Sequence, residues 1–243
     1  MSGMKRSELR KVALITGSGV TEQFTLLESK KVSTEYGMAE VFTSAEGPLV
    51  LPRHGRGHAV PPHAVNYRAN VAALNRLGVQ GVVATNAVGS MIRSFGIGRL
   101  GLVDQFIDFT RTRKSTFFED RVVHTDMTRP YSEKLNSLLL EASRRVGIRL
   151  ARGLVYVCVE GPRYETPAEI RMFRKMGGDV VGMTGVPEVV LARELGMEYS
   201  AVAVATNFAA GMQTRVSHEE VLDVMKKAGT KVRKLLLEAI NLI

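Results

Sequence analysis

The chain has 243 residues, of which 45% are hydrophobic, and it carries a formal net charge of +9 at pH 7. This size and composition suit one large α/β domain or two small ones and exclude a chain that is disordered throughout. The single cysteine, Cys158, excludes an intrachain disulfide and a cysteine-based zinc site, and we expect it to be buried in its apolar run. No apolar run reaches membrane-spanning length and no signal-peptide core is present, so we expect a cytoplasmic protein.

The basic residues are spread over predicted helix faces and loops and do not form a block. Lys226, Lys227 and Lys231 lie on one predicted helix, and Arg111 and Arg113 lie in a loop, with few aromatic residues between them. This distribution contains no recognisable nucleic-acid-binding module. A solvated surface, or attraction of an anionic small substrate, explains the charge better, so no nucleic-acid or membrane partner is expected.

Strand-like and helix-like segments alternate from residue 11 to residue 243, after a polar N-terminus, residues 1–10, that we expect to be flexible. No internal repeat or linker interrupts the alternation, which predicts a single domain with an α/β layer structure. The predicted strands are 11–16, 48–51, 79–84, 100–107, 154–159, 179–183 and 198–206. The predicted helices are 63–77, 132–146, 167–176, 186–195 and a last helix that follows a capping box at Ser217.

Two clusters with anion-binding character follow the first two predicted strands. Gly17-Ser18-Gly19 fits an anion-binding loop or a plain tight turn equally well. It is neither a P-loop nor a dinucleotide fingerprint, because the residues that those motifs require do not follow. The second cluster holds two arginines and two histidines in six residues, which favours an oxyanion site over a solvated loop and does not match a zinc site, so no metal is predicted. It reads Arg53-His54-Gly55-Arg56-Gly57-His58.

The segment 159–169 joins an apolar strand to a predicted helix. Thr166 is the expected N-cap, Pro167 the first helical residue, and Glu169 the partner that closes a capping box. The turn between them carries Tyr164 and Glu165. In an open α/β sheet such strand-to-helix corners bind ligands, although a well-capped helix alone would also account for this sequence.

Further polar residues follow later predicted strands, with Thr184 expected at a helix N-terminus. If the strands are mostly parallel, one group of these side chains shares a sheet edge and could enclose a tetrahedral dianion. A second group occupies neighbouring corners and would surround a flatter ligand. An anion beside a base-shaped pocket suggests phosphate attacking a nucleoside. The first group is Ser18, Arg53, His54, Asn86 and Thr184; the second is Glu165, Met183, Asn207 and His218.

Six motifs occur together and in one order from residue 12 almost to the end of the chain. They are Gly17-Ser18-Gly19, residues 53–58, Thr85-Asn86-Ala87-Val88-Gly89-Ser90, Asp104-Gln105-Phe106-Ile107-Asp108, residues 160–166, and Met183-Thr184-Gly185-Val186-Pro187-Glu188. In these motifs the chain resembles the trimeric-type purine nucleoside phosphorylases and methylthioadenosine phosphorylases. Residues 53–58 and 104–108 are most similar to the methylthioadenosine branch.

The resemblance implies a single-domain three-layer α/β/α fold with a mixed, mostly parallel central sheet. It also implies a homotrimer, or a homohexamer built as a dimer of trimers, and no cofactor, with inorganic phosphate as co-substrate. Phe117, Phe118 and His124, in the long loop 108–130, are candidates to complete a neighbouring subunit's pocket.

The resemblance also implies the residues of the site, with Asn207, His54 and Glu165 in catalytic roles. The implied phosphate site is Ser18, Arg53, His54, Asn86, Ala87 and Thr184. The implied purine and ribose site is Tyr164, Glu165, Met183, Asn207, Phe208, Ala209 and His218.

Three positions bear on the substrate. Methylthioadenosine phosphorylases carry serine where this chain has Glu165 and Asp-x-Asp where it has residues 207–209, whereas 6-oxopurine enzymes carry Glu and Asn. An ionised Glu165 can accept from N1–H of hypoxanthine or guanine, and Asn207 can donate to O6 and N7. His218 lies where the 6-oxopurine enzymes have a histidine for the ribose 5′-hydroxyl and methylthio-specific enzymes have an apolar residue; a surface histidine in a first helical turn is the alternative.

These features predict a purine nucleoside phosphorylase, a pentosyltransferase of purine salvage that converts inosine or guanosine and phosphate into free base and ribose 1-phosphate. The nearest alternative is phosphorolysis of methylthioadenosine or methylthioinosine, since a methylthio sugar on hypoxanthine satisfies Glu165 and Asn207 equally well. An alternative of another class is a nucleoside- or nucleic-acid-binding protein without turnover, which the positive charge motivates.

Overall fold

The structure is a computed structural model that describes residues 11–243. Long runs of β-branched residues and alanine form the centre of its fold. The expected flexible segment, residues 1–10, lies outside the described residues. The strands are β1 Val12–Thr16, β2 Leu26–Thr34, β3 Gly37–Ser44, β4 Leu49–Pro52, β5 Gly81–Ser90, β6 Leu100–Phe109, β7 Leu150–Val159, β8 Val180–Gly182 and β9 Glu198–Phe208. The α-helices are α1 Tyr67–Arg76, α2 Glu133–Arg145, α3 Pro167–Lys175, α4 Glu188–Glu194 and α5 His218–Asn241.

The nine strands of the described residues belong to one mixed sheet, in the order β2-β3-β4-β1-β5-β8-β7-β6-β9, and β9 pairs back onto β5. Strands β5, β8, β7, β6 and β9 therefore close into a ring, and β1 to β4 extend from β5 as an open sheet. Five of the pairings are parallel and four are antiparallel. The expectation of a mixed, mostly parallel sheet is confirmed.

Strand β5 is the junction between the open sheet and the ring. Strand β9 pairs with β5 from Gly81 to Ser90 and occupies one of its edges. The other edge is shared, because β1 pairs with residues 81–84 in parallel and β8 pairs only with Gly89 and Ser90 in the antiparallel direction. Residues 85–88 lie between these two neighbours, so on that edge the backbone of β5 is available to loops and side chains.

Helices cover both faces of the sheet and make the three layers. The apolar face of α5, including Met225, Val232 and Leu236, packs with α2 against strands β1, β5 and β9. Helices α1 and α4 pack on the other face, around fully buried residues such as Leu74 and Leu191. Among the described residues, none of the helices has the length and apolarity that a bilayer crossing would need. Both faces of the central strands are thus removed from water, which explains their near-continuous apolar sequences.

Every strand and helix that the sequence predicts is present, with differences at the ends. Strand β5 runs on to Ser90, and β7 begins at Leu150, four residues before its predicted start. The hairpin of β2 and β3 is not predicted, and six of the nine residues of β2 are exposed. Such a hairpin lacks the apolar alternation that reveals a strand in sequence. Cys158 is fully buried, and burial raises the pKa of its thiol to about 11, as expected for a structural cysteine.

The two predicted capping boxes differ. The Thr166 side chain accepts from the Glu169 N–H at 3.1 Å, and Glu169 accepts from the Thr166 N–H at 2.7 Å, so the box at α3 is complete. At α5, Ser217 accepts from the Glu220 N–H, but the Glu220 carboxylate accepts from the side chain of Gln213 at 2.8 Å. The Glu220 carboxylate thus binds the loop before α5, through Gln213, and not the Ser217 N–H that a complete capping box would require.

Candidate active site

A cavity of about 410 Å³ opens beside β5 where β1 and β8 part. Loops after β1, β4 and β7, the turn after β8, the end of β9 and the start of α5 all contribute to its wall. Most of the site residues predicted from the sequence line it: Ser18, Arg53, His54, Ala87, Tyr164, Glu165, Met183, Thr184, Asn207 and His218. From the sequence, we expected these residues to meet because they follow parallel strands that end at one edge of the sheet. In the structure they lie around residues 85–88 of β5, next to the antiparallel strand β8.

Three predicted site residues lie outside the cavity wall. Asn86 is buried behind Thr184, to whose Oγ1 its Nδ2 donates at 3.0 Å, while its own Oδ1 is buried and has no hydrogen-bond partner in the described part of the chain. The ring of Phe208 lies under the guanidinium of Arg93, 4.6 Å from it, and Ala209 is buried in the apolar cluster beneath α3. Asn86 therefore contacts the cavity wall through Thr184, and Phe208 and Ala209 do not line the cavity.

Arg53 is 2% exposed and its guanidinium is held on three sides. Its Nε and Nη2 donate to the two carboxylate oxygens of Glu188, each at 2.7 Å, and its Nη1 donates to the carbonyl of Thr85 at 2.8 Å. Burial opposes the charge, but the attraction of Glu188 outweighs it and raises the pKa of Arg53. The Gly17 N–H donates to Thr85 Oγ1 at 3.1 Å, so both loops attach to the uncovered edge of β5.

His54 is a neutral imidazole. Its Nδ1 lies 2.8 Å from the carbonyl of Val60, which can only accept, so Nδ1 carries the proton and Nε2 carries a lone pair. Burial, together with the nearby charge of Arg53, lowers the pKa of His54 to about 3. Above that pH the side chain offers an acceptor, not a positive charge, to a ligand.

His58 and His218 form one end of the cavity, together with Ser18. The Ser18 Oγ lies 3.3 Å from His58 Nε2, and the rings of His54 and His58 are 4.1 Å apart between centroids. Burial and the proximity of His218 lower the pKa of His58. Arg56, from the same cluster, turns away and pairs with Glu40 on β3 at 3.0 Å. Of the four charged or ionisable residues in that cluster, three therefore belong to the site.

The turn after β8 is shaped by Tyr156. The N–H groups of Thr184 and Gly185 both donate to the Tyr156 hydroxyl, at 3.2 and 3.3 Å. A Cβ at Gly182 would lie 2.5 Å from that hydroxyl, so only glycine fits there. The prediction that Thr184 lies at a helix N-terminus is wrong, because α4 begins at Glu188. Tyr156, not a helix end, orients the turn and directs the Thr184 side chain to the cavity.

The corner before α3 places Tyr164 and Glu165 on the cavity wall. Arg163 pairs with Glu169 at 2.7 Å and so leaves Glu165 without an ion pair among the described residues. Burial is the main cause that raises the pKa of the Glu165 carboxyl. The capping box, by fixing the first turn of α3, sets the direction in which this carboxylate enters the cavity.

Asn207 is 4% exposed and its amide is partly engaged by its neighbours. Its Oδ1 accepts from the Thr206 hydroxyl at 2.8 Å, and its Nδ2 donates to the carbonyl of Phe208 at 2.9 Å. One N–H of Nδ2 is left for a ligand, and a Cβ at Gly89 would crowd that nitrogen at 3.3 Å. The expectation that Asn207 donates to both O6 and N7 of a purine therefore reduces to a single shared N–H in this conformation.

Sequence reasoning assigned no role to several residues of the site and its support. Glu188 and Tyr199 hold Arg53, and Tyr156 holds the turn after β8. Val60, Pro61, Pro62 and Val221 also line the cavity wall, beside His58 of the predicted oxyanion cluster. A carboxylate in the apolar stretch 186–192 is the signal that could have revealed Glu188. In the part of the chain that the structure describes, no group of three or more His, Cys, Asp or Glu side chains could hold a metal ion.

The fold and the cavity define an α/β enzyme, and the chain belongs to the phosphorylase superfamily, whose family model matches residues 11–241. The superfamily and the named relatives identify it as a nucleoside phosphorylase and hence a pentosyltransferase. The chain is 50% identical to a probable 6-oxopurine nucleoside phosphorylase of Moorella thermoacetica, over 95% of this chain and 92% of the relative. It is 46% identical to a probable S-methyl-5'-thioinosine phosphorylase of Methanothermobacter thermautotrophicus, over 88% and 78%.

Among solved structures, methylthioadenosine phosphorylase from Schistosoma mansoni in complex with adenine is similar to this chain with a TM-score of 0.90. The two sequences are 35% identical, and the match covers 96% of this chain and 91% of that one. The expected nucleoside phosphorylase fold is thereby confirmed.

The protonation state of His54 is a testable consequence of this geometry. We expect nitrogen NMR to show a neutral ring protonated on Nδ1 from about pH 5 to about pH 8, because the folded pKa is about 3. In the unfolded chain the pKa of a histidine is about 6.5, so between these two pKa values the unfolded state binds the extra proton. The contribution of His54 to stability is therefore full above about pH 6.5 and declines as the pH falls towards 3. The spectrum of His54→Gln would assign the signal, and an imidazolium at pH 6 would contradict the structure.

Proposed function

We propose that the enzyme catalyses the reversible phosphorolysis of 6-oxopurine ribonucleosides, such as inosine and guanosine, to free base and ribose 1-phosphate. This reaction belongs to purine salvage in the cytoplasm. The observation that carries the proposal is the pairing in one cavity of Glu165, a carboxylate without an ion pair among residues 11–243, with Asn207, an amide that keeps one N–H. Relatives named as 6-oxopurine nucleoside phosphorylases support it.

Base recognition follows from the donors and acceptors of the purine edge. A 6-oxopurine presents N1–H as a donor and O6 as an acceptor, which match an ionised Glu165 and the Asn207 amide. Adenine presents a lone pair at N1 and an amino group at position 6, so both contacts would be mismatched. Each unmatched buried polar group costs about 1–3 kcal/mol, and two of them are enough for strong discrimination.

Phosphate would be bound opposite the base by the hydroxyls of Ser18 and Thr184 and by the N–H groups that Arg53 does not use inside the protein. His54 Nε2 would accept a hydrogen bond from the P–OH group of monohydrogen phosphate, since a neutral ring with Nδ1–H has only a lone pair there. In the reaction a phosphate oxygen forms a bond to the anomeric carbon as the bond from that carbon to the purine N9 breaks. Negative charge then develops on the base, where the Asn207 N–H can stabilise it.

A second candidate, phosphorolysis of methylthioinosine, is favoured by the apolar part of the cavity. Val60 and Val221 line it near His58 and His218, so that end combines apolar surface with two imidazoles. A 5′-hydroxyl can form a hydrogen bond to an imidazole, whereas a methylthio group would leave it unmatched. We therefore prefer the ribonucleoside, and we note that the relative from Methanothermobacter bears the methylthioinosine name.

Replacing Asn207 tests the role of this residue towards the leaving group. We expect Asn207→Ala to lower kcat/KM for inosine by about 10²–10³-fold, since a donor aimed at developing negative charge is lost. Steady-state base release at saturating phosphate measures the effect. Asn75→Ala, an exposed asparagine on α1, is the matched control and should retain wild-type activity. Unchanged inosine turnover in Asn207→Ala would refute the role.

The substrate is tested by base release from inosine, guanosine, adenosine, methylthioadenosine and methylthioinosine, each with and without phosphate. We expect phosphate-dependent release from inosine and guanosine, and a loss of about thirtyfold or more for the adenine nucleosides. A higher kcat/KM for methylthioinosine than for inosine would favour the second candidate. Salt-sensitive binding to polynucleotides without any base release would favour the non-catalytic alternative.

We also propose that the chain assembles as a homotrimer or as a hexamer of two trimers. The long loop between β6 and α2 exposes Val122, at 83%, and Val123 beside the exposed His124, an apolar surface that suits an interface. His124 is thus the best candidate to reach a neighbouring pocket. Phe117 and Phe118 are weaker ones, because Phe117 packs on Tyr36 and Phe118 lies under an arginine of its own loop.

Light scattering tests the assembly. We expect a mass of about three or six times the 26.6 kDa of the chain, because an exposed apolar loop of this kind is stable when it is covered by another subunit. A double substitution, Val122→Asp with Val123→Asp, should shift the mass towards that of the monomer. A monomeric wild-type protein would contradict the proposal.

A further inference from the structure

Glu188 is a fully buried carboxylate at the first position of α4, and no part of its surface reaches the cavity wall. Its oxygens accept three hydrogen bonds: two from Arg53 and one from the hydroxyl of Tyr199, all at 2.7 Å. Isolated carboxylates are rarely buried to this extent, because desolvation of the charge costs several kcal/mol. Glu188 is instead paired, and the bonds that satisfy its charge also fix the orientation of Arg53.

The bonds to Glu188 determine which donors of Arg53 remain for a ligand. A guanidinium has five N–H donors in a rigid plane. Glu188 takes the donor on Nε and one on Nη2, and the carbonyl of Thr85 takes one on Nη1. One donor on each terminal nitrogen is left, and Arg53 lines the cavity. Gly17 lies against Nη1, since a Cβ there would be 3.1 Å from it.

The charges around this donor pair nearly cancel. The positive charge of Arg53 is matched by Glu188 at contact distance, and His54 next to it is neutral because its pKa is about 3. A bound phosphate would thus meet little excess positive charge and would depend on the direction of the N–H groups. Under these conditions a small rotation of the guanidinium should cost more than it would in a strongly cationic pocket.

We infer that Glu188, held by Tyr199, is a positioning residue that aligns the two free donors of Arg53 with the phosphate co-substrate. The inference rests on the proposed phosphate site. Tyr199 lies on β9, where it pairs with Val82 of β5, so the carboxylate is tied to the same strand pair whose uncovered edge forms the cavity. Contacts that run from Tyr199 on β9 through Glu188 on α4 to Arg53 after β4 fix the side of the guanidinium that carries Nε. The two free N–H groups on the terminal nitrogens are thereby directed towards the cavity.

The chain contains a matched control for this inference. Arg113 is also a buried arginine paired with a carboxylate, Glu160, at 3.1 Å, and it donates to the carbonyls of Val159 and Val186. Neither Arg113 nor Glu160 lines the cavity. Replacing Glu160 should therefore weaken a partly buried ion pair and lower stability without changing phosphate binding.

The experiment compares Glu188→Gln, Tyr199→Phe and Glu160→Gln with the wild type, using inosine and inorganic phosphate. We expect Glu188→Gln to raise KM for phosphate by about tenfold or more and KM for inosine by less than about twofold, because the carboxamide is uncharged and its NH2 group cannot accept from the guanidinium. Tyr199→Phe retains the charge and should raise the phosphate KM by about threefold. Glu160→Gln should lower the melting temperature and leave both KM values near those of the wild type.

Three outcomes would overturn the inference: KM values for phosphate and inosine that rise in proportion, a phosphate KM that is unchanged in Glu188→Gln, or the same split in Glu160→Gln. If Glu188→Gln does not fold, Tyr199→Phe decides, and an unchanged phosphate KM in that variant would also overturn it. Failure of the proposed function would look different, because the wild type itself would then release no base in a phosphate-dependent way.

Discussion

The structure depends on the fact that one strand, β5, belongs both to the closed ring and to the open part of the same sheet. Its edge towards β9 is fully paired, so its other edge has to be divided between β1 and β8, which run in opposite directions. Two strands of opposite direction cannot continue one another, and a stretch of β5 is left between them. The loops after β1 and β4 form hydrogen bonds to that stretch, which becomes the floor of the cavity. The site is thus a consequence of sheet closure, related to the switch points of open α/β sheets.

Around this floor the protein uses buried polar groups as fixed supports. Glu188 supports Arg53, Tyr156 supports the turn that carries Thr184, and the capping box supports the corner that carries Glu165. In each case the supporting group is satisfied by hydrogen bonds within the protein, so the group that faces the cavity has few alternative positions. Such preorganisation lowers the cost of ordering side chains when a ligand binds.

The sequence predicted a large part of this arrangement because its signals were local. Apolar runs of strand length, glycine after helices and the Thr166 capping box depend on neighbouring residues, and the strands and helices they predicted are present. The hairpin β2–β3 was missed because its exposed faces carry little periodicity. Sheet closure was missed since the pairing of β5 with β9 joins residues more than a hundred positions apart. The role of Glu188 was missed because one carboxylate near a helix start normally suggests a solvated first turn.

The tautomer of His54 has a consequence for the choice between anions of the same shape. With Nδ1–H bound to the carbonyl of Val60, its Nε2 can only accept. Monohydrogen phosphate has a proton to donate there, whereas sulfate at neutral pH has none and would place an oxygen lone pair against the lone pair of the ring. An unmatched pair of this kind costs about 1–3 kcal/mol. At the proposed phosphate site, the contact between His54 Nδ1–H and one carbonyl would therefore disfavour sulfate relative to monohydrogen phosphate.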